Sequence, residues 1–511
     1  MLGRVLSVGV FGIEGYRVEV EFDVRQGLPA IVVVGLPDAA VKESKDRVAT
    51  ALKNSGYRWP GDGRITINLA PADTKKEGPA FDLALALGAL SATGQLLSDR
   101  LKDYAAVGEL ALDGSVRPVK GALAMALTAR EEGLKGLILP ADNAREAAVV
   151  ADIEVVPVKA LAQAVGFLAG DLVIEPSAVD LQAVFEDSRR DDVDFSDVRG
   201  QEHAKRALVV AAAGGHNVLM IGPPGAGKTM LARRLPTILP LLDLEESLET
   251  TRIYSSLGLL GRNQSVIATR PFRSPHHTTS EAGLVGGGSV PAPGEVSLAH
   301  HGVLFLDELP EFNRHTLEVL RQPLEDGFVT ISRAQASLTF PAQIMLVAAL
   351  NPCPCGYLTD PKRECHCTPR QVQNYMGKIS GPLLDRIDIH LDVPAVPYRE
   401  LRARSDGSTS AQMREQVSRA RAVQAKRFDS GGRMTNARMS HRQVKKFCAL
   451  DDAGESLLKQ AMVEMGLSAR AHDKILRTAR TIADLEEAPD VTATHLAEAV
   501  QYRRLDRNLF A

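Results

Sequence analysis

The spacing of hydrophobic and polar positions divides the chain into stretches of different secondary structure. In the first 170 residues, short alternating or continuous apolar runs predict strands at residues 18–22, 31–34, 64–69, 137–139 and 153–156. Apolar positions at helical spacing predict helices at residues 38–52 and 81–97. We therefore expect this first stretch to be an α+β or α/β domain.

A linker is expected at residues 171–194, because charged and turn-forming residues crowd together near its end. Strands and helices alternate again over residues 195–396, which predicts an α/β core. Beyond residue 396 the chain becomes rich in Ala, Arg and Gln, which predicts a helical domain over residues 397–511. Its helices are expected at residues 414–428, 440–448, 454–465, 469–485 and 494–503.

Composition and charge change this picture little. A length of 511 residues suits about three domains of roughly 150 residues each. The chain has 45% hydrophobic and 24% charged residues, no run of about 18 apolar residues and no signal peptide at its start. We therefore expect a cytoplasmic protein without a membrane partner. Because the net charge is only -3, a site for a polyanion must be a local patch.

A glycine-rich segment between an apolar strand at residues 218–221 and a helix at residues 228–235 carries the clearest chemical signal. Its residues are Gly222, Pro223, Pro224, Gly225, Ala226, Gly227, Lys228 and Thr229. The glycines let successive backbone N–H groups turn inward around phosphate at the start of the helix. Lys228 would reach the β- and γ-phosphates and Thr229 would ligate Mg²⁺, which predicts a site for Mg-ATP.

Two carboxylates follow a second apolar strand at residues 302–306. Asp307 would hold Mg²⁺, and Glu308 would polarise the water that attacks the γ-phosphate. An acidic pair at a strand end is common in proteins that bind no nucleotide. Here it gains significance because it lies downstream of the phosphate-binding loop within one α/β unit.

Four of the five cysteines lie close together in the sequence. They are Cys353, Cys355, Cys365 and Cys367. In a reducing compartment clustered thiols favour metal over disulfides, and two close pairs suit tetrahedral Zn²⁺, although their spacing is tighter than usual. Free structural thiols and an iron–sulfur cluster are the alternatives, and His366 is a spare ligand. A zinc ion here would pin a loop and take no part in chemistry.

Several short segments resemble AAA+ ATPases of the magnesium-chelatase and MCM branch. They are residues 195–207, 349–351, 383–388 and 468–470. By this resemblance Asn351 orients the attacking water, Arg386 is the arginine finger and Arg470 is the second sensor. A finger from a neighbouring subunit stabilises charge on the γ-phosphate and implies a ring, most often a hexamer in this family. The alternative for Arg386 is a structural salt bridge to Asp385 or Asp388.

Two segments exceed what an ATPase core needs, and both lie where this branch carries inserts around its central pore. Residues 270–288 are cationic and flexible, and residues 327–340 alternate as a β-hairpin. The candidates for contacts to a DNA backbone are Arg270, Arg273 and Arg333. Such contacts position a protein without reading sequence. For His276 and His277 we expect a loop-structuring or DNA-facing role, and a metal site is the disfavoured alternative because adjacent side chains in an extended loop point apart.

The C-terminal region also has a basic bias. Its basic residues up to position 447 are Arg399, Arg402, Arg404, Arg414, Arg419, Arg421, Lys426, Arg427, Arg433, Arg438, Arg442, Lys445 and Lys446. Solvated helix faces are the simplest explanation of such a run. Aromatic residues are scarce among them, so a platform for stacking bases is not visible.

The first domain resembles the Lon-protease-like, ribosomal-S5-like fold. The segments that carry the resemblance are residues 35–44, 68–73 and 108–114. Lon proteases use a serine and a lysine, but Ala80 and Leu123 occupy those positions here, and the nearby Lys120 has no serine to activate. We therefore expect no peptidase activity. An accessory role remains, in ring assembly or in binding duplex DNA.

The whole chain resembles the ComM/YifB family of magnesium-chelatase-like proteins, most specifically at residues 351–356 and 380–388. The resemblance implies an α/β P-loop AAA+ module between a Lon-like domain and a helical domain. It also implies a homohexameric DNA helicase that drives branch migration on single-stranded or branched DNA during natural transformation. One alternative is the motor subunit of a magnesium chelatase, which lacks the Lon-like domain and the cysteine pairs. The other is a AAA+ chaperone that remodels proteins.

Overall fold

The computed structural model describes residues 2–61, 63–188, 192–261, 264–288, 291–333, 336–358, 360, 363–397, 407–428 and 434–505. The chain divides into two compact units. The first comprises Met1–Asp187 and Leu244–Ile267, and the second comprises Ser188–Asp243 and Ala268–Ala511. The ATPase core and the helical tail therefore belong to one unit, and a segment of 24 residues within the core belongs to the other.

The first unit contains a seven-stranded mixed sheet, a separate pair of short antiparallel strands, and helices. Its strands are β1 (Leu2–Phe11), β2 (Glu14–Gln26), β3 (Ala30–Val34), β4 (Gly63–Ala70), β5 (Tyr104–Ala106), β6 (Glu109–Leu110), β7 (Val116–Arg117), β8 (Gly136–Pro140) and β9 (Glu154–Val158). Its helices are α1 (Ala39–Asn54), α2 (Asp82–Ala92), α3 (Ala122–Glu131), α4 (Ala144–Ala147), α5 (Leu161–Ala169), α6 (Leu181–Asp187) and α9 (Leu244–Leu257). The sheet order is β3-β4-β2-β1-β5-β8-β9. Strand β2 pairs antiparallel with β1 and β4, and the remaining pairs are parallel, which confirms the α+β prediction.

Helices α1 and α2 correspond to the two helices predicted from apolar spacing. The Asp38 side chain caps α1 by accepting a hydrogen bond from the Val41 N–H at 2.7 Å. Nearly every residue of α2 is buried, because the helix is apolar on all sides. It ends at Ala92, five residues before the predicted end, and Gly94 beyond it adopts a left-handed φ of 71° that stops helical progress.

Helix α9 belongs to the first unit, although in the sequence it lies within the ATPase core. It packs against α3, where the Ser255 carbonyl accepts a hydrogen bond from the Gly121 N–H at 3.0 Å. The Ser255 hydroxyl also donates to the buried Glu146 carboxylate. Burial raises the pKa of Glu146, while its hydrogen-bond partners oppose that shift. Hydrogen bonds within a buried cluster therefore hold the inserted segment on the first unit.

The position that carries the nucleophile in Lon proteases is built around an internal ion pair. Ala80 lies in a short 3-10 turn, and Asp82 begins α2 two residues later. The fully buried Asp82 carboxylate accepts hydrogen bonds from Arg47 at 3.0 and 3.2 Å and from the Leu110 N–H at 3.2 Å. These contacts fix the packing of α1 on α2.

The second unit contains the remaining elements. Its strands are β10 (Val218–Ile221), β11 (Phe272–Arg273), β12 (Gly286–Gly287), β13 (Ala292–Pro293), β14 (Val303–Leu306), β15 (Phe328–Arg333), β16 (Ala336–Pro341), β17 (Met345–Leu350) and β18 (Ile389–Asp392). Its helices are α7 (Glu202–Gly214), α8 (Lys228–Ile238), α10 (Glu281–Val285), α11 (Glu295–Leu298), α12 (Arg314–Glu318), α13 (Arg321–Asp326), α14 (Pro369–Met376), α15 (Gly381–Leu384), α16 (Ser410–Phe428), α17 (His441–Phe447), α18 (Asp452–Met465), α19 (Ala469–Leu485) and α20 (Ala493–Gln501).

A parallel five-stranded sheet organises this unit, in the order β11-β14-β17-β10-β18. Strands β10, β14 and β17 are buried along their whole length, which explains why they are continuous apolar runs in the sequence. Because all strands run the same way, the residues after β10, β14 and β17 meet at one edge of the sheet. The predicted hairpin is confirmed as the antiparallel pair of β15 and β16.

The helical tail packs against the sheet unit through α16, which contacts α7 and α8, and through α19, which contacts α7. Asp484 is fully buried and accepts hydrogen bonds from Arg427 at 2.7 Å, Arg480 at 3.0 Å and Asn436 at 2.7 Å. Arg427, part of the predicted basic bias, is thus internal to the fold. Four other members of that bias lie outside the described residues: Arg399, Arg402, Arg404 and Arg433. Within the described ranges, no helix combines the length and the apolar character needed to cross a membrane.

Candidate nucleotide-binding site

The phosphate-binding loop connects the buried strand β10 to helix α8. Gly225 and Gly227 adopt left-handed φ angles of 77° and 91°, which glycine tolerates and other residues avoid. A Cβ on Gly222 would lie 2.1 Å from the Val393 carbonyl oxygen, so only glycine fits between the loop and the end of β18. Helix α8 begins at Lys228. The loop therefore presents its N–H groups at a helix N-terminus, where an anion is stabilised.

The Lys228 ammonium lies inside this loop. Its Nζ donates hydrogen bonds to the carbonyl oxygens of Gly222 at 2.6 Å and Pro223 at 3.0 Å, and to Asn351 Oδ1 at 3.1 Å. Burial lowers the pKa of Lys228, whereas the charges of Asp307 and Glu308 oppose that shift. A partly desolvated cation with carboxylates nearby is suited to a polyphosphate accompanied by a divalent metal.

The Mg²⁺ ligands predicted from the sequence lie side by side. The Thr229 hydroxyl donates to Asp307 Oδ2 at 2.7 Å, so the first turn of α8 meets the carboxyl end of β14. An oxygen pair of this kind fits Mg²⁺, which prefers oxygen ligands and usually retains several waters. Threonine and aspartate would therefore hold the ion between the protein and the phosphates.

Glu308 projects from a strained backbone position directly after Asp307. Its φ of 52° lies in the left-handed region, which a non-glycine residue adopts only when its surroundings impose it. The side chain is 56% exposed, and its Oε2 lies 3.7 Å from Nδ1 of His277. The turn thus points the Glu308 carboxylate away from the sheet, where it can accept a proton from water.

Asn351 completes the group because β17 is the neighbour of β10. Ile221 pairs with Leu350 in the parallel ladder, and the Gly222 N–H donates to the Leu350 carbonyl at 3.3 Å. Asn351 is the next residue, and its side chain reaches Lys228. The sheet therefore brings together Lys228, Thr229, Asp307 and Asn351, which are 123 positions apart at the extremes.

The four clustered cysteines also converge. The Sγ atoms of Cys353, Cys355, Cys365 and Cys367 all lie within 4.8 Å of one another. Cys353 Sγ is 3.3 Å from Cys355 and 3.7 Å from Cys365, close to the separation of about 3.8 Å that four sulfurs adopt around zinc. A hydrogen bond from the Tyr357 N–H lowers the pKa of Cys355 to about 6. The donor set therefore fits Zn²⁺.

The segment that carries the cysteine cluster packs directly against the phosphate-binding loop. A Cβ on Gly356 would lie 2.5 Å from Cδ of Pro224 and 3.8 Å from Cγ of Asn351. Gly356 itself adopts a left-handed φ of 85°. A metal at the cysteines would thus hold the loop after Asn351 against Pro224.

We expect the purified protein to contain about one zinc ion per chain, because four converging thiolates form a closed structural site. Cys353→Ser with Cys355→Ser should lose the metal, lower the thermal midpoint and raise the KM for ATP through the loop that touches Pro224. Elemental analysis, thermal denaturation and ATPase kinetics measure these effects. Cys448→Ala, outside the cluster, should keep the zinc. A wild-type chain that binds no zinc on titration, or that shows the absorption of an iron–sulfur cluster, would contradict this prediction.

Arg386 and Arg470 lie at the opposite edge of the same sheet. Asn217, which precedes β10, donates from Nδ2 to the Arg386 carbonyl at 3.0 Å, whereas the phosphate-binding loop follows β10. Four strand residues separate the two edges by about 13 Å. Arg470, at the start of α19, lines the same cavity as Arg386. Both residues therefore lie at the edge of the sheet opposite the phosphate-binding loop of their own chain.

The Arg386 side chain forms an ion pair, but not with the neighbours considered from the sequence. It contacts Glu325 and donates to the Pro382 carbonyl at 2.5 Å. Asp388 instead accepts hydrogen bonds from Lys474 at 2.8 Å and from the Asn217 N–H at 2.9 Å. Glu325 is half exposed, whereas the Arg386 side chain is only 8% exposed, so the ion pair holds a buried guanidinium beside a partly solvated carboxylate.

The arginines considered for DNA contact differ in their surroundings. Arg270 donates to the carbonyl oxygens of Pro240 at 2.7 Å and His301 at 2.8 Å, and Arg273 forms a double ion pair with Glu295 at 2.6 and 2.8 Å. Both guanidiniums are occupied inside the fold, so a contact to phosphate would have to compete with these bonds. Arg333 instead lies exposed at the end of β15.

Two contacts at the site were not predicted. Gln201 donates from Nε2 to the Ala226 carbonyl at 2.7 Å and the Pro394 carbonyl at 3.2 Å, which ties the module entry to the phosphate-binding loop. His277, expected to structure its loop or to face DNA, lies beside Glu308. Both contacts join residues far apart in the sequence, so no local pattern signals them.

Similarity to known proteins covers both units. The families described as "Subunit ChlI of Mg-chelatase", "Magnesium chelatase, subunit ChlI" and "Magnesium chelatase, subunit ChlI C-terminal" match residues 20–143, 194–401 and 407–503. Competence protein ComM of Haemophilus influenzae is 43% identical over 511 residues, covering 99% of this chain and 98% of that protein. YifB of Escherichia coli is 44% identical over 510 residues, with 99% and 98% covered. The magnesium-chelatase 38 kDa subunit of Rhodobacter capsulatus is 27% identical over 176 residues, covering 31% of this chain and 50% of that protein.

Proposed function

The chain belongs to the ComM/YifB family of magnesium-chelatase-like AAA+ proteins, and from this premise we propose that it is an ATP-driven DNA motor assembled from several copies. The observation that carries the proposal is the position of Arg386 at the sheet edge opposite Lys228. A chain with half of a catalytic site at each edge completes that site by head-to-tail contact with another copy. Such contacts close into rings when their rotation permits, and a homohexamer is the expected ring.

Hydrolysis follows from the groups at the two edges. Lys228 binds the β- and γ-phosphates, and Thr229 and Asp307 would hold Mg²⁺, which would neutralise phosphate charge. Glu308 accepts the proton of the attacking water while Asn351 orients that water. Arg386 of the neighbouring copy stabilises the charge that spreads over the γ-phosphate oxygens.

The DNA part of the proposal is supported by the relatives and by the hairpin of β15 and β16. ComM is named as a competence protein, and we propose a competence-related role on DNA for this chain. One face of the hairpin pairs Thr330 with Thr339 at 3.1 Å and Ser332 with Ser337 at 2.9 Å. These hydroxyls on one face, and the exposed Arg333 at the end of β15 on the other, suit contacts to a phosphate backbone that read no sequence. We propose that the hairpin transmits ATP-driven motion to single-stranded or branched DNA.

Stimulation of ATP hydrolysis by DNA tests this function. We expect forked or single-stranded DNA to raise the ATPase rate of the assembled protein, and added salt to weaken the effect because phosphate contacts release counterions. Arg333→Ala should reduce the stimulation and leave the rate without DNA near wild type. Arg504→Ala, an exposed arginine without a role in the site, is the matched control.

The same assay separates the two competing functions. A magnesium-chelatase motor would respond to its partner chelatase subunits, and a protein-remodelling AAA+ chaperone would respond to unfolded protein. Stimulation by either of these with no response to DNA would contradict the proposal. The chelatase subunit of R. capsulatus aligns with only 31% of this chain, which favours a different task for the rest.

A further inference from the structure

A cavity of about 480 Å³ lies at the amino-terminal edge of the parallel sheet in the second unit. Asn217, Ile344 and Asp388, which precede β10, β17 and β18, form its floor. The helical tail forms its opposite wall through the turn Asn436–Arg438 and through α19. The cavity is thus built jointly by the ATPase core and the tail.

The walls of this cavity carry more cations than anions. Its basic residues are Arg386, Arg438, Arg470, Lys474 and Arg477, and its acidic residues are Glu325, Asp385, Asp388 and Asp473. Much of the acidic charge is already engaged. Glu325 pairs with Arg386, Asp388 pairs with Lys474, and Asp473 accepts hydrogen bonds from His441 at 2.8 Å and His472 at 3.1 Å. Arg438 and Arg470 are therefore left available to an external anion, whereas Arg477 donates to the Ala437 carbonyl.

Arg438 and Arg470 are the available guanidiniums with no partner among the described residues. Both side chains are exposed to solvent at the cavity. Nε of Arg386 and Nε of Arg477 are buried and have no hydrogen-bond partner within the described ranges, so they are not accessible from the cavity. The two exposed guanidiniums of Arg438 and Arg470 on one cavity indicate a binding site for an anion.

The backbone that carries Arg438 is rigidly held. Asn436, two residues earlier, is fully buried, and its Nδ2 donates to Thr481 at 3.1 Å and to Asp484 at 2.7 Å. Its N–H donates to Gln424 at 3.0 Å, and the Ala437 carbonyl accepts from Arg477 at 3.1 Å. The Arg438 guanidinium is therefore presented from a fixed turn, as a preorganised electrostatic catalyst requires.

We propose that Arg438 is a catalytic residue that acts in trans, contacting the γ-phosphate of ATP bound by the neighbouring copy beside Arg386. The inference rests on the head-to-tail assembly proposed above and adds a residue of the helical tail to the composite site. In the reaction, water forms a new bond to the γ-phosphorus and gives its proton to Glu308. The bond from that phosphorus to the β,γ-bridging oxygen breaks, and ADP leaves with the electron pair. Arg438 stabilises the negative charge on the γ-phosphoryl oxygens during this exchange.

We expect Arg438→Ala to lower the kcat for ATP hydrolysis by about 10²-fold, the loss typical of one stabilising donor, with little change in KM. Arg438→Lys keeps the charge but loses the planar fork, so an intermediate kcat is expected. Arg504→Ala should hydrolyse ATP as the wild type does. Assembly of every variant is measured by mass photometry under the assay conditions. If Arg438→Ala does not assemble, the kcat of Arg438→Lys is compared with that of the wild type instead.

Mixing two inactive variants tests whether Arg438 acts in trans. Glu308→Gln copies keep Arg438 but cannot hydrolyse ATP, and Arg438→Ala copies keep the P-loop and Glu308. In mixed rings, roughly a quarter of junctions join an intact P-loop to an intact Arg438, so hydrolysis should recover to a comparable fraction of wild type. No recovery in assembled mixtures, or a wild-type kcat in Arg438→Ala alone, would overturn the inference. Loss of DNA binding with unchanged hydrolysis would overturn it too. All rates are measured without DNA, so a failure of the DNA-motor proposal is recognised separately.

Discussion

Replacing Lys228 with alanine is expected to lower the rate of ATP hydrolysis by about 10³-fold or more, because the phosphates lose the buried cation that binds them. ATP binding should weaken as well, since Lys228 contacts both the loop and Asn351. Burial lowers the pKa of Lys228, which means that keeping its ammonium charged destabilises the folded state. Replacing the side chain with alanine removes this destabilisation. The variant should therefore fold. Its thermal unfolding midpoint should equal or exceed that of the wild type.

The measurements for Lys228→Ala are steady-state ATPase kinetics, binding of a fluorescent ATP analogue and thermal denaturation. Lys459→Ala changes an exposed lysine of α18 far from any predicted role and controls for the loss of one charge. A Lys228→Ala variant that keeps more than about a tenth of the wild-type activity would contradict the assignment of the phosphate-binding loop.

Arg386→Ala is expected to lower hydrolysis by about 10³-fold while each chain still binds ATP, because a finger acts on the neighbour's transition state and not on its own phosphates. Mixing Arg386→Ala with Lys228→Ala should restore part of the activity, since the second variant supplies the arginine and the first supplies the P-loop. Recovery is read from steady-state rates over a range of mixing ratios.

The control for Arg386→Ala is Glu325→Gln, which removes the ion pair to Arg386 and keeps the arginine itself. If the pair matters only for structure, both variants should lose the same activity. If Arg386 is the finger, Glu325→Gln should remain active. Equal losses in the two variants, or no recovery on mixing, would contradict a role in trans.

Much of the nucleotide site could be predicted from the sequence because its parts are local motifs. The turn at Gly225 and Gly227 and the strand that ends at Asp307 are each specified by adjacent residues. Their meeting follows from parallel strands, which bring their carboxyl ends to one edge. The cysteine pairs were recognisable for the same reason, since each pair spans three residues.

The features that could not be predicted depend on packing between distant segments. Helix α9 reads as part of the ATPase core, yet its Ser255 contacts Gly121 and Glu146 of the first unit. Arg270 looks like a free cation, and only the fold brings it to the carbonyl oxygens of Pro240 and His301. The residues adjacent to an arginine in the sequence do not show whether its guanidinium donates hydrogen bonds inside the fold or binds a ligand at the surface.

The same limit applies to Arg438. In the sequence it is one of many basic residues in the tail, and solvation of helix faces explains such a run. The structure distinguishes Arg438 from Arg427. Arg438 faces a cavity and has no side-chain partner in the part of the chain that is described, whereas Arg427 pairs with buried Asp484. Two arginines eleven positions apart therefore have different physical roles, one structural and one available to an anion.

The central claim is that hydrolysis between copies drives movement on DNA, and displacement of a labelled strand tests it most directly. The assay follows strand release from a forked duplex and from a four-way junction, with ATP, by wild-type protein and by Glu308→Gln. We predict that wild-type protein releases the strand in proportion to ATP hydrolysed and that Glu308→Gln binds the same DNA but releases none. Wild-type protein that hydrolyses ATP on DNA without releasing a strand, or equal release by Glu308→Gln, would contradict the claim.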